Sequence, residues 1–490
     1  MRPSARWLPL GVASFAKLAF GFGALAEGFH GVSDDDFARV FIAQGFAAAP
    51  SLDPSGTSWL PLPFWVTGSA MLAFGKSLLV ARLVAVVAGL LSTALLYFAA
   101  RWLGLQPWRA SFAALLGTVF PYATYLGVAT VPESLCAASI VAGCVAASGK
   151  PSLRALGAAL LFTACLSRYE AWPVALGYAL LAARDALRQE RESGNTRRRL
   201  TLLGAAGLAL AGPAWWMSHG QQVHGSPTFF VDRVAAYRRA VGAAPESLWA
   251  RLSGYPIGYL RGEPELVLLT FVVSAWFLFL YWRQAGTSGV RSAVPESWRR
   301  CGALLLLMLL SLIYGDLRDG APTHHSERAV LALWMFTALV LVRALELLGG
   351  RVSRNRVILV ALACIALGQF ILRPWYSRRD SFIDRRAAIA TGAAARARGA
   401  PKLAVATEDF GFYAVCVGFE APNACISLRD NDPRRALKED PLGSSVALRK
   451  SLDTTNSRWL AVPAKYRDLA SQIGEARFAN QRWVLVEVGQ

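Results

Sequence analysis

Three aspartates stand side by side at positions 34–36, in the stretch HGVSDDDFARVFIAQG. Carboxylates crowded this closely repel one another, so at least one is expected to have a raised pKa and to suit the role of taking a proton from an attacking hydroxyl. A plainer reading is compatible with that one. Ser33 caps a helix whose first turn welcomes Asp34, Asp35 and Asp36 through the backbone dipole, and Phe37, Val40, Phe41 and Phe46 lie on a membrane surface.

Other charged residues that could share such chemistry are far away in sequence. Arg39 follows the acids directly, Glu133 stands in VATVPESL, Arg168 and Glu170 in LSRYEAWP, and His324, His325 and Arg328 in DLRDGAPTHHSERAV. Each has a structural alternative. Glu133 opens a helix after Pro132 and can serve only as a partner of its dipole. Arg168 and Glu170 can snorkel to an interface; on a continuous helix they would point to different faces and pair poorly, so a helix is expected to end there. THHSERA can be a helix start capped by Thr323 or Ser326. Adjacent histidines usually point apart, and no Cys or third His accompanies His324 and His325, so no zinc site is expected there. A divalent cation held against a phosphate by Asp, Glu and water remains open as a cofactor.

The elements that must position these residues are set by composition. Of 490 residues 54% are hydrophobic and only 17% charged, more apolar than a soluble core needs, which makes the chain a polytopic membrane protein. The net charge of +19 does not indicate nucleic acid, because the basic residues fall between apolar runs rather than on one soluble surface. Eleven runs approach the length of a spanning helix: 7–29, 78–100, 110–125, 127–148, 153–167, 171–183, 200–218, 265–283, 301–315, 329–348 and 356–372. The first contains Lys17 and no convincing cleavage site, so it reads as a retained helix.

Arg and Lys concentrate in alternate loops, notably Arg184, Arg188, Arg191 and Arg197 to Arg199, which places the N-terminus inside and the acidic loops outside. Residues 30–77 are then the first outer loop, and the tail after 372 is also outside. From about 376 to 490 that tail combines a helical stretch at 380–398 with the β-like runs KLAVATE, RWLAVPA and RWVLVEV, as expected of a small extracytoplasmic α/β domain beside a membrane domain at 1–375. Five of the seven cysteines lie in or beside membrane helices as apolar fillers. Cys416 and Cys425 flank a turn-prone GFEAPNA and could close a disulfide in an oxidising compartment. Residues 219–263, with Tyr237, Arg238, Trp249 and Tyr255, fit a helix at the lipid headgroups better than a sugar platform.

The candidate charges all fall at the outer ends of helices. A transporter or lipid flippase would be expected to carry its ionisable groups near the midplane on repeated, broken helices, and no such repeat is visible. A scaffold would need no convergent clusters. Both remain alternatives.

The short N-terminal helix, the acidic motif just beyond it, the WLPL segment at 59–62 and the GKSLLVARL entry to the second long helix resemble the GT-C membrane glycosyltransferases, in particular the protein O-mannosyltransferase and lipid A aminoarabinose transferase group. The likeness is clearest over the first 180 residues or so. It implies an all-α GT-C membrane domain that moves a sugar from a polyprenyl-phosphate donor, with inversion, to a lipid, glycan or protein acceptor on the extracytoplasmic face of a bacterial inner membrane. It also implies a catalytic carboxylate within an acidic pair of the first outer loop. That pair can fall on Asp34 and Asp35 or on Asp35 and Asp36, and Asp35 belongs to both. By the same resemblance Arg168 and Glu170 lie beside the donor, and Arg39, Glu133, His324, His325 and Arg328 are candidates to meet its phosphate and sugar. The spacing around THHSERA differs from the family's, which leaves individual roles open.

Overall fold

The computed structural model describes residues 7–193, 195–242, 247–318, 326–348, 382–435 and 440–489; His324, His325, Cys364 and the expected helix at 356–372 lie outside them. The other ten apolar runs all fall on helices. Among the described residues five helices are long and apolar enough to cross a membrane: α1 (Leu8–Ala26), α4 (Leu78–Trp102), α10 (Thr196–His224), the Pro264–Arg283 part of α13 (Pro264–Ala293), and α14 (Glu296–Leu317). The shorter α7 (Glu133–Ala146) and α8 (Pro151–Cys165), with α9 (Ala171–Ser193) and α16 (Leu331–Leu348), join them in the bundle.

Proline sets several boundaries. Pro151 and Pro264 open α8 and α13, and Pro107 opens α5 (Pro107–Val119), where a missing N–H costs nothing. Pro121 also divides what the sequence suggests is one run at 110–125. It forces Phe120 into an extended conformation (φ −52°, ψ 145°), so α5 stops and the short α6 (Pro121–Leu126) begins. Lys17 is buried inside the bundle and donates to the Thr118 and Ala123 carbonyls at 2.6 and 3.1 Å, tying α1 to this break. Cys136, Cys144, Cys165 and Cys301 are free and buried among the helices, as apolar fillers would be.

The chain beyond 382 forms a small α/β domain. Helix α17 (Arg386–Ala397) precedes β1 (Leu403–Val405), α18 (Gly411–Phe419), β2 (Cys425–Ser427), α19 (Ser445–Thr455), β3 (Trp459–Pro463), α20 (Arg467–Ser471), β4 (Gly474–Ala479) and β5 (Trp483–Val488). The sheet order is β2-β1-β3-β5-β4, parallel from β2 to β3 and antiparallel beyond. The three β-like runs become β1, β3 and β5, which are apolar and largely buried. The edge strands β2 and β4 carry no such pattern; β4 is mostly exposed, so its sequence lacks the core face by which a strand is recognised. Cys416 and Cys425 form a disulfide that ties α18 to β2, with Cα atoms 5.6 Å apart. Helices α17 and α18 cross at glycines: a Cβ on Gly392 would lie 1.9 Å from the Val415 carbonyl oxygen and one on Gly418 2.1 Å from that of Ile389.

This domain packs on α2 (Asp34–Ala48), which corrects the expectation that the apolar side of α2 lies on a membrane surface. Phe37 and Val40 are buried in one cluster with Leu403, Val415 and Trp483. Phe41 packs against Phe412 and Tyr413, and Gln44 donates to the Val417 carbonyl at 3.0 Å. Burial of side chains of this size contributes about 1.5–3 kcal/mol each. The packing therefore fixes both the position and the rotation of the helix that carries the three aspartates.

Candidate active site

At the end of the bundle covered by the α/β domain, four segments converge on Glu133. Its side chain, fully buried at the first turn of α7, accepts from Arg168 Nη1 at 2.6 Å and from Arg328 Nε at 2.7 Å through the same oxygen. Arg168 sits in the turn between α8 and α9, where the helix ends as its charges require, and the turn lets Arg168 Nε also donate to Glu170. Arg328, on the single-turn α15 (Ser326–Ala329), reaches onward to Asp35 Oδ2 at 2.9 Å and to the Ser33 hydroxyl at 3.3 Å. The structure thus brings together Asp35, Glu133, Arg168, Glu170 and Arg328, drawn from positions nearly 300 residues apart.

Arg39 lies one helical turn beyond Asp35 and differs from its neighbours. It is buried, its guanidinium stacks 4.5 Å over the Trp59 ring and 5.8 Å from Phe64, and its Nε and Nη1 have no hydrogen-bond partner among the described residues. Burial pushes its pKa down to about 10, against the pull of Glu133 and Asp35, so it remains a cation at neutral pH. Glu133 Oε2 and Glu170 Oε2 are also buried without partners among the described residues. A buried guanidinium with idle N–H groups is costly unless a ligand completes it.

The three aspartates meet three different environments. Asp34 is held by Arg385 of the α/β domain through two hydrogen bonds, Nε to Oδ1 at 2.8 Å and Nη2 to Oδ2 at 2.9 Å, and Arg385 binds Asp409 as well. Asp36 is enclosed: its carboxylate accepts from the Val32 and Ser33 backbone N–H groups at 3.0 and 3.2 Å and from the Thr130 N–H at 3.1 Å. The Asp35 side chain alone of the three opens outward, 42% exposed, while its partner Arg328 is 2% exposed.

Their acidities separate accordingly. Burial raises Asp36 to about 6, with Arg328 and the Ser33 N–H pulling the other way and Glu133 and Asp35 adding to the rise. One aspartate is therefore raised, as expected, but desolvation rather than crowding is the main cause. At Asp35 a desolvation penalty is outweighed by the charges of Arg328 and Arg39 and the hydrogen bond from Arg328, and its carboxyl stays below the usual range. Asp35 is ionised at neutral pH and open to an incoming proton.

The segment 219–263 departs from its expected place at lipid headgroups in part. Trp249 is well exposed, but Arg238 of α11 (Phe229–Ala240) is buried and donates to Asp316 at 2.6 Å. Tyr255 of α12 (Leu248–Gly262) is buried beside this pair, its hydroxyl without a hydrogen-bond partner among the described residues. The sequence carries no sign of a role for Thr130, Arg385 or Asp409; Trp59, the first residue of WLPL, lies in a segment that carries the resemblance. Among the described residues, the one grouping spaced to hold a metal ion is Asp53, His219 and His224.

Residues 55–216 match the family model for dolichyl-phosphate-mannose-protein mannosyltransferases. No curated protein sequence matches the chain. Among solved structures, the crystal structure of ArnT from Cupriavidus metallidurans bound to undecaprenyl phosphate is 14% identical and superposes with a TM-score of 0.58, over 99% of this chain and 97% of that one. The apo oligosaccharyltransferase of Archaeoglobus fulgidus is 10% identical, with a TM-score of 0.52 over 96% of this chain and 71% of its own. At these identities the likeness is one of architecture, and it agrees with the resemblance carried by the acidic motif and the WLPL segment: the chain is an integral membrane protein with the GT-C glycosyltransferase fold and a small α/β domain at its C-terminus.

Proposed function

We propose that this protein transfers a sugar from a polyprenyl-phosphate donor to the hydroxyl of a lipid, glycan or protein acceptor, with inversion at the anomeric carbon. The observation that carries the reading is Arg39: a buried, aromatic-clamped guanidinium with idle donors, next to two further arginines that are already neutralised by carboxylates. A phosphate is the ligand whose charge and acceptor oxygens would satisfy it. The structure of ArnT bound to undecaprenyl phosphate, which shares the fold, supports a lipid phosphate as that ligand.

In this reading the acceptor oxygen attacks the anomeric carbon from the side away from the phosphate, and Asp35 takes the hydroxyl proton as the new bond forms. The bond from carbon to phosphate oxygen breaks, and its electron pair leaves with the lipid phosphate. Arg39, Arg168 and Arg328 meet the growing charge in a site largely closed to water. A single displacement inverts the configuration. Glu133 and Glu170 hold Arg168 and Arg328 in place, and Asp34 and Asp36 fix the rotation of α2. His324 and His325, in the chain leading to Arg328, are kept as candidates for the donor phosphate. The arginine distribution and the Cys416–Cys425 disulfide support an extracytoplasmic site and α/β domain, as in a bacterial inner membrane.

The test is transfer from labelled polyprenyl-phosphate sugars in membranes containing the protein. Asp35→Asn is expected to lower turnover by about 10²–10⁴-fold, the usual contribution of a positioned base. Normal turnover in that variant would remove Asp35 from the chemistry. Donor movement across the bilayer without any transfer to an acceptor would replace the reading by a flippase.

A further inference from the structure

Asp53, in the loop between α2 and α3 (Leu62–Phe74), and His219 and His224, on the last turns of α10, belong to none of the chemistry above. We propose that these three side chains bind a divalent transition metal, with zinc as the best match to the donor set, as a staple between the loop and the helix end.

Their ligand atoms all lie within 4.8 Å of one another, and His219 Nε2 is 3.4 Å from Asp53 Oδ2. Donors bound at about 2.0–2.2 Å around a tetrahedral ion stand about 3.3 Å apart, so the closer pair is already at ligating separation. The wider separation closes by rotation of side chains; His224 is the last residue of its helix, next to Gly225 in the left-handed region. The carboxylate is oriented for the task. Its Oδ1 accepts from the Ser55 N–H at 3.2 Å, the Ser55 hydroxyl at 3.1 Å and the Gly56 N–H at 3.0 Å, which leaves Oδ2 turned toward the histidines. Both rings are held by aromatic stacking, His219 at 5.1 Å on Trp216 and His224 at 4.1 Å on Phe229. The Asp53 and His219 side chains are only 10% and 16% exposed.

The simpler account is a hydrogen bond between His219 and Asp53. At 3.4 Å it is a long one, and it gives no reason for a second imidazole to converge on the same carboxylate. Two imidazoles and one carboxylate suit zinc and its late-transition neighbours and not magnesium or calcium, which take oxygen ligands; three protein ligands leave a fourth position for water.

The staple would hold the wall of the adjoining site. The same loop is tied to the α8–α9 turn by Tyr169, whose hydroxyl donates to the Ser58 carbonyl at 2.6 Å and accepts from Trp216 Nε1 at 2.9 Å, and it ends at Trp59 over Arg39. Metal binding itself does not depend on the glycosyltransferase reading and is measured without it.

The test uses the full-length protein in detergent, stripped with a chelator and titrated with zinc alone against a chromophoric chelator, then with cobalt. The expected result is about one zinc per chain, a tetrahedral cobalt spectrum, and affinity at least about tenfold weaker in Asp53→Asn, His219→Gln and His224→Gln. His30→Ala, remote from the trio, is expected to bind as wild type and guards against loss through misfolding. An octahedral cobalt spectrum, no zinc bound above a protein-free blank, or equal binding after replacement of all three residues overturns the proposal.

Discussion

Two arginine–carboxylate clusters lie at opposite ends of α8, about 20 Å apart by helix rise, and they differ in whether every arginine has a carboxylate partner. At the start of α8, Arg154 pairs with Asp185 at 2.7 Å, and Arg300 also binds Asp185 and reaches Glu296 at 2.5 Å. Both arginines share the Asp185 carboxylate between three helices. That is a brace. Beyond the other end, Arg168 and Arg328 share Glu133, but Arg39 pairs with no carboxylate among the described residues and lies under an aromatic ring, and Asp35 faces outward. The difference teaches that burial of arginine does not mark a site. An idle donor next to an accessible acceptor does.

The largest effect that separates the clusters is expected at Arg39. Arg39→Met is expected to cost about 10²–10³-fold in sugar transfer, as for loss of one donor to a developing anion, while thermal stability stays level or rises because an unpaired buried charge is gone. Arg300→Met should do the reverse, lowering stability by about 1–3 kcal/mol in thermal unfolding with transfer retained in the folded fraction. If both variants lose stability and neither is selectively inactive, the distinction between brace and site is wrong.

A smaller effect concerns pH. Asp36 has a folded pKa of about 6, above the usual carboxylate value, so the folded state binds the extra proton. Its contribution is therefore present at low pH and lost as pH rises from about 4 through about 6, worth about 2–3 kcal/mol in all. Asp35 has the opposite sign: its lowered pKa stabilises above the usual carboxylate range and is lost only as pH falls below it. Unfolding midpoints compared between pH 4 and pH 7 should show that Asp36→Asn flattens the slope in that window. An unchanged slope would assign the pH dependence elsewhere.

The smallest expected effect is at the domain contact. Arg385→Gln removes the bidentate hold on Asp34 and is expected to weaken docking by about 1–2 kcal/mol, seen as faster proteolysis of the α/β domain and only a fewfold drop in transfer. A loss as deep as that of Asp35→Asn would mean that Asp34 takes part in the chemistry.

Much of the scaffold was readable in advance. Apolar runs and prolines report helices directly because burial in lipid and a missing N–H act within a single segment. The Arg168–Glu170 turn was legible for the same local reason. The exceptions were non-local. The apolar face of α2, which by sequence suits a membrane surface, is covered by a domain about 370 residues later, and aromatic side chains look alike whether they meet lipid or protein. Arg385 carried no signal, because an arginine at the start of an Ala/Arg-rich helix is unremarkable until its partner is known.

Composition, hydrophobic run length and the acidic motif were enough to establish a membrane bundle, its small α/β appendage and the segment where chemistry would be sought. They could not divide the labour among Asp34, Asp35 and Asp36. Consecutive helical residues project about 100° apart, so three identical side chains face three different neighbours. Which neighbour each one meets, Arg385, Arg328 or Thr130, depends on how α2 is rotated against the rest of the chain, and only tertiary packing decides that.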